Sequence, residues 1–109
     1  MRELEKAILC CILKDEKLEY VKLAELSKNL FVEMGAWYDP IIKYREEKKP
    51  FDPAIMNNEL GGDITKEAIT FHGSLTSYPT YIHQLKKNIY IGELSKKVMA
   101  NELELSDLI

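Results

Sequence analysis

Two histidines and two adjacent cysteines are the residues of this 109-residue chain best suited to bind a metal ion. Zinc requires several such ligands at short spacing, as in H-E-x-x-H or C-x-x-C, and neither motif occurs. His72 and His83 fall on different predicted elements. Cys10 and Cys11 lie side by side in an apolar run, and neighbouring side chains on a helix diverge too far to pair easily. The sequence therefore predicts no metal site and no disulfide.

Other residue pairs that could support catalysis have simpler structural interpretations. Ser74 and Ser77 lie near His72 in a predicted loop, where chance proximity explains them better than a nucleophile with its base. The glutamates at 3 and 5 and at 46–47 fit solvated helix surfaces, and the glycines at 61–62 fit a turn. A phosphate loop of the form G-x-x-x-x-G-K-[ST] is absent from the sequence. We assign no catalytic residue and no cofactor site in this chain.

The charge balance argues against strong direct binding of nucleic acid. The chain carries 18 acidic and 15 basic residues, for a formal net charge of −3. A domain that binds phosphates usually gathers a basic surplus on one face. The lysine pairs at 48–49, 86–87 and 96–97 have acidic neighbours, and we interpret them as solvated helix faces. The aromatic residues fall at core spacing on predicted helices, which favours packing over base stacking.

Cysteine usage and the N-terminal residues indicate a soluble protein of the cytoplasm. Cysteines without a pairing partner are typical of a reducing compartment, where they serve as small buried apolar residues. The apolar stretch 7–13 is too short to cross a bilayer, and the mixed charges of residues 2–6 differ from the basic start of a signal peptide. We expect no contact with a membrane.

Apolar spacing predicts helices in the first half of the chain. The first helix, at about residues 2–13, is apolar on most of its circumference and is predicted to form the centre of the core. Asp15 is predicted to cap a second helix that carries apolar residues from Leu18 to Leu30. A third element follows over residues 31–44. Pro40 interrupts it, so either Asp39 caps a fresh helix or one helix is kinked, and we favour a break or kink.

Clear start and stop signals mark the helices of the second half. Asp52 followed by Pro53 predicts a helix start, and the glycines at 61–62 predict its end. Thr65 is predicted to cap a short helix that ends at Gly73, and residues 74–79 form a connector. One long helix then runs from residue 80 to about 102. It would be about 35 Å long, which exceeds a core diameter of about 26 Å, so we expect it to project.

These elements predict an all-α fold, a compact orthogonal bundle of about five to six helices. The predicted organisation is a globular helical core over residues 1–78 and a long helix over residues 79–109. A projecting helix that carries apolar residues requires a partner to cover them. The predicted self-association or partner surface comprises Ile89, Leu94, Val98 and Leu103.

The order of these signals resembles the N-terminal domain of DnaB-type bacterial replicative helicases over nearly the full chain. The residues that carry the resemblance are L-E-K-A-I-L at 4–9 with I-L-K-D at 12–15, the aromatic-aliphatic helix at 37–44, E-E-K-K-P-F-D at 46–52, N-E-L-G-G at 58–62, and Pro79 before a long tyrosine-bearing helix. The stretch at 46–52 is similar to the family's Y-E-E-G-K-P-I-D. The chain departs from the family pattern at residues 29–34, at Lys48 in place of glycine, and at Pro40.

The resemblance implies a domain without motor activity. Its copies would pair into dimers that form a collar above the hexameric ring of a full-length helicase, and the domain would dock a primase and possibly a helicase loader. The long helix would then be the first arm of a helical hairpin. ATP and Mg²⁺ would be required only by a motor domain that this chain lacks.

Two alternative functions remain open at the level of sequence. The first is the helicase-binding domain of a primase, which has a related helical fold and no catalysis of its own. The second is a DNA-binding helix-turn-helix regulator with its two-helix unit at residues 21–30. The regulator would require a basic recognition helix, whereas the helix that follows opens with Glu33 and carries mostly aromatic residues.

Overall fold

The first helix lies at the centre of the molecule because nearly all of its sides are apolar. A computed structural model describes residues 2–100, with side chains for residues 2–91. Helix α1 spans Arg2–Lys14, and from the middle onward its side chains are buried. The buried positions include Ile8, Cys11 and Ile12 on one stripe and Leu9 and Leu13 on the next. This arrangement confirms the predicted central helix.

Four further α-helices complete the described part of the fold. They are α2 (Gly35–Glu46), α3 (Pro53–Leu60), α4 (Gly62–Thr70) and α5 (Tyr78–Ala100), and three single-turn 3-10 helices lie at Leu23–Glu25, Lys28–Leu30 and Leu75–Ser77. Helix α1 contacts α2, α4 and α5, and α3 packs mainly on α4. Residues 2–100 contain no β-strand. The predicted all-α fold is therefore confirmed.

The predicted second helix, with Asp15 as its cap, is wrong. Residues 15–31 form a loop with two 3-10 turns, and the buried side chains Val21, Leu26 and Phe31 follow one another at intervals of five. An interval of five rotates the side chain away from a single helix face, which repeats every three to four residues. The Asp15 carboxylate instead accepts the backbone N–H groups of residues 19, 20 and 21 at 3.0, 2.8 and 2.8 Å and holds them in the loop.

Helix α2 runs through Pro40 without a break, so of the two alternatives left open by the sequence, the fresh helix capped by Asp39 is wrong. The helix begins at Gly35, and Asp39 accepts a hydrogen bond from Lys28 Nζ at 2.8 Å instead of capping a helix. Proline removes the donor that would bond the carbonyl of Ala36. Ala36 is exposed, so water can reach this part of the helix.

Helix α2 ends in a Schellman motif centred on a lysine. The N–H of Lys49 bonds the carbonyl of Tyr44 at 3.3 Å, and the N–H of Lys48 bonds the carbonyl of Arg45 at 3.0 Å. These two bonds define the motif, whose first residue after the helix cap adopts a left-handed conformation. Lys48 has φ of 58°. Position 48 is therefore a site that glycine would occupy without steric cost.

The junction of α3 and α4 follows the predicted signals in part. Asp52 Oδ1 accepts the N–H groups of Ala54 and Ile55 at 2.9 and 3.3 Å, which confirms the predicted cap before Pro53. Gly61, with φ of 94°, ends α3 and also caps α4. Thr65 is therefore inside α4 rather than at its start, and its hydroxyl donates to the carbonyl of Gly61 at 2.8 Å. The helix ends at Thr70, before the predicted stop at Gly73.

Helix α5 is the long C-terminal helix that the sequence predicts. It starts two residues earlier than predicted, with Pro79 in its first turn, and continues past Gly92 to Ala100. Tyr78 and Leu85 are buried in the core. The 23 residues of α5 measure about 35 Å at the usual helical rise. The molecule measures 58 × 24 × 24 Å, so it is elongated, as a projecting helix requires. The proposed division at residue 78 stays a prediction.

Candidate interaction surfaces

A buried arginine binds the turn that follows α1. Arg45 Nη2 donates to the carbonyls of Asp15 and Glu16 at 3.0 and 2.6 Å, and Nη1 donates to the carbonyl of Lys49 at 2.8 Å. Carbonyls at the end of a helix lack partners within the helix, and a cation near them is favourable. The arginine therefore joins the ends of α1 and α2. Sequence reasoning did not find this role for Arg45.

A buried carboxylate joins the start of α2 to α1. Glu5 is fully buried, and its Oε1 accepts the N–H groups of Glu33 and Met34 at 3.0 and 3.1 Å. Met34 is the cap residue of α2, so a side chain from another helix supplies the negative charge that favours a helix start. The prediction that Glu5 lies on a solvated helix surface is wrong. No local signal marks it, since its partners are 28 and 29 residues away.

The two cysteine side chains are buried, as predicted for small apolar residues, and their thiols remain protonated at neutral pH. Both thiols are free, and Cys10 Sγ donates to the carbonyl of Glu67 at 3.6 Å. Burial raises the pKa of the Cys10 thiol to about 11 and that of Cys11 to about 12. The reactive thiolate is therefore scarce at neutral pH.

The remaining residues considered for chemistry are not assembled into a site. His72 follows α4, whereas His83 is on α5. Ser74 Oγ accepts the N–H of Thr76 and lies 2.7 Å from its hydroxyl, so it serves the turn before α5. Among the described residues, no group of three or more His, Cys, Asp or Glu side chains is arranged to hold a metal ion. None of the described helices combines the length and apolarity needed to cross a membrane.

The exposed apolar surface of α5 begins where the helix leaves the core. Ile89 is half-buried and packs against the core, whereas Tyr90 is 65% and Ile91 48% exposed. Of the predicted surface residues, the structure thus places Ile89 on the side of α5 that faces its own core. The side chains of Leu94 and Val98, and the whole of Leu103, lie outside the described residues. The predicted surface stays a prediction, with Tyr90 and Ile91 as additions that sequence reasoning missed.

A groove lies between the 3-10 turn at Leu23–Glu25 and the first turns of α5. This loop–helix groove has a volume of about 280 Å³ and is lined by Tyr20, Lys22, Glu25, Leu26, Tyr78, Pro79, Ile82 and Lys86. Leu26 and Tyr78 are buried, while Tyr20 is 40% exposed. Burial, together with the charge of Glu25, raises the pKa of the Tyr78 hydroxyl to about 12. The uncharged hydroxyl of Tyr78 therefore lies in a groove whose charged lining residues are Lys22, Glu25 and Lys86.

Neither a family model, nor a curated protein, nor a solved structure matches this chain. The function must therefore be inferred from the surfaces of the molecule and from the residues that carry the resemblance to the helicase collar domain. Among the described residues, two surfaces that a partner can reach are the exposed pair Tyr90 and Ile91 on α5 and the loop–helix groove.

Proposed function

We propose that this chain is a non-catalytic assembly and docking domain that acts in DNA replication, of the kind found at the N-terminus of DnaB-type replicative helicases. In this proposal the domain associates with copies of itself, in a hexamer when the motor domain is attached, and docks a primase and possibly a helicase loader. ATP and Mg²⁺ serve only the motor domain, and the protein works in the cytoplasm.

The observation that carries the proposal is the outward face of α5. Tyr90 and Ile91, the two residues that follow the half-buried Ile89, are exposed. By helical spacing, positions 94 and 98 follow Ile91 at three and seven residues, and the sequence has leucine and valine there. A continuous apolar stripe on a projecting helix is favourable only when another surface covers it.

The end of α2 gives independent support to the family resemblance. The family pattern Y-E-E-G-K-P-I-D has glycine where this chain has Lys48. In the structure Lys48 adopts the left-handed conformation that favours glycine, within a Schellman motif that involves Lys49. Further along the same stretch, Asp52 caps α3, as an aspartate before a proline does in general. A glycine at position 48, as in the family pattern, would therefore fit the turn of this chain without steric cost.

The helix-turn-helix alternative lacks its structural unit. Residues 21–30 contain two separate three-residue 3-10 turns, Leu23–Glu25 and Lys28–Leu30, and not a pair of helices. A recognition helix must present several side chains along a major groove, which one 3-10 turn cannot do. The alternative that places a two-helix unit at residues 21–30 is therefore wrong.

Light scattering coupled to size-exclusion chromatography tests the proposed self-association. We expect the chain to form dimers at high concentration and Tyr90→Glu with Ile91→Glu to shift it to the monomer. The matched control is Gln84→Glu, an exposed polar residue on the core-proximal part of the same helix, which leaves the dimer intact. A strict monomer for the unmodified chain contradicts the proposal, as does equal dissociation by the control.

A further inference from the structure

We propose that the loop–helix groove binds an acidic segment with apolar side chains from a partner protein. The groove is separate from the apolar stripe proposed for self-association. Ile82, in the groove, and Ile91, on the stripe, are nine residues apart on α5, which is about 14 Å along the helix. A second copy packed on the stripe can therefore leave the groove open, so this proposal does not depend on the proposed dimer.

The walls of the groove offer apolar surface that side chains of a peptide can cover. The groove has a volume of about 280 Å³. Tyr20, Pro79 and Ile82 provide apolar surface, with Leu26 and Tyr78 behind them. Grooves of this kind accept one or two anchoring side chains of an amphipathic segment.

The charges on the groove favour an acidic partner. Lys22 and Lys86 lie on the groove, and neither forms an ion pair with any of the described side chains. Glu25 is the one acidic residue of the lining, so two cations face one carboxylate. The lining therefore has a local charge of +1, whereas the whole chain has a net charge of −3. Complementary charge of this type selects partners and steers their approach.

Binding of a dye-labelled peptide to the full chain, followed by fluorescence anisotropy at low ionic strength, tests the proposal. The probe is a blocked peptide with the sequence ELELSDLI, which alternates acidic and leucine residues and which the chain itself carries at positions 102–109. We expect saturable binding with Kd below about 1 mM. The peptide KLKLSKLI, with its charges inverted, should not bind.

Two double variants distinguish the groove from general charge attraction. Lys22→Glu with Lys86→Glu should weaken binding by about tenfold or more, as expected when two attractive contacts become repulsive. Lys66→Glu with Lys87→Glu changes the net charge by the same amount at exposed lysines outside the groove, and should change binding by less than about twofold. Thermal unfolding by circular dichroism verifies that both variants are folded.

Three results would overturn the proposal. The first is the absence of saturable binding by the acidic peptide to the folded chain. The second is an equal loss of binding in both double variants. The third is tighter binding of a single-stranded DNA oligonucleotide than of the peptide, with the same dependence on Lys22 and Lys86, which would assign the groove to nucleic acid. The dimer proposed for α5 should be lost in Tyr90→Glu with Ile91→Glu, whereas peptide binding should be lost in Lys22→Glu with Lys86→Glu, so either proposal can fail without the other.

Discussion

Replacing Lys48 by glycine should stabilise the domain. Lys48 is exposed and adopts φ of 58° at the end of α2. The left-handed conformation costs a residue with a Cβ atom roughly 1–2 kcal/mol relative to glycine. Glycine in turn has more conformational freedom in the unfolded chain, which offsets about 0.5–1 kcal/mol of that gain. The free energy of unfolding should therefore rise by about 0.5–1 kcal/mol in Lys48→Gly, when the lower limits of the two ranges are subtracted from each other and the upper limits likewise.

Thermal and urea unfolding monitored by circular dichroism measure this change. In a domain of this size, 0.5–1 kcal/mol corresponds to a rise in Tm of about 2–8 °C. The control is Lys48→Ala, which removes the same charge but keeps the Cβ atom and should give no gain. Lys48 has no ion pair among the described residues, so loss of its charge has little effect in either variant. A Lys48→Gly protein no more stable than Lys48→Ala would refute the assignment of a strained helix end.

Two further predictions concern buried groups. Glu5→Ala should lower the free energy of unfolding, measured in urea, by about 1–3 kcal/mol, because the buried N–H of Met34 loses its acceptor. Glu5→Gln keeps one acceptor oxygen and should lower the free energy of unfolding by less. Equal losses in both variants would contradict the proposed cap. Burial raises the pKa of the Cys10 thiol from 9.0 to about 11 and that of the Cys11 thiol to about 12, so the unfolded chain releases these protons at lower pH than the folded chain. The free energy of unfolding should therefore fall as pH rises from about 9 towards 11. The double variant Cys10→Ala with Cys11→Ala should show a smaller fall of the urea midpoint over that pH range, and an identical fall would show that other groups cause it.

The sequence predicted those helices whose signals are local. Helix α1 has an apolar repeat of three to four, and α3 has a cap and a proline in adjacent positions. The loop at 15–31 was missed because its order comes from Asp15, whose carboxylate binds three backbone donors of that loop, and from buried side chains at intervals of five. Periodicity of three to four residues, which marks a helix face, cannot identify a segment whose buried residues are spaced by five. Local propensity was overridden by tertiary contacts here, as it often is.

The candidate surface was predicted only in outline for a similar reason. Helical spacing shows that α5 is apolar on several sides, but not which side faces α1. The structure shows that Ile89 lies on the same side of α5 as the buried Leu85 and packs against the core. Tyr90 and Ile91 lie on other sides of the helix and are exposed to solvent. The groove was not predicted either, because Tyr20 and Lys22 come from a segment that was expected to be helical.

The molar mass of the chain in solution at high concentration tests the central proposal most directly. One copy has a mass of 12.6 kDa. An assembly domain that covers Tyr90 and Ile91 with a second copy should give twice that mass by light scattering, and the mass should return to 12.6 kDa when both residues are glutamate. A constant 12.6 kDa for the unmodified chain at every concentration would contradict the proposed function.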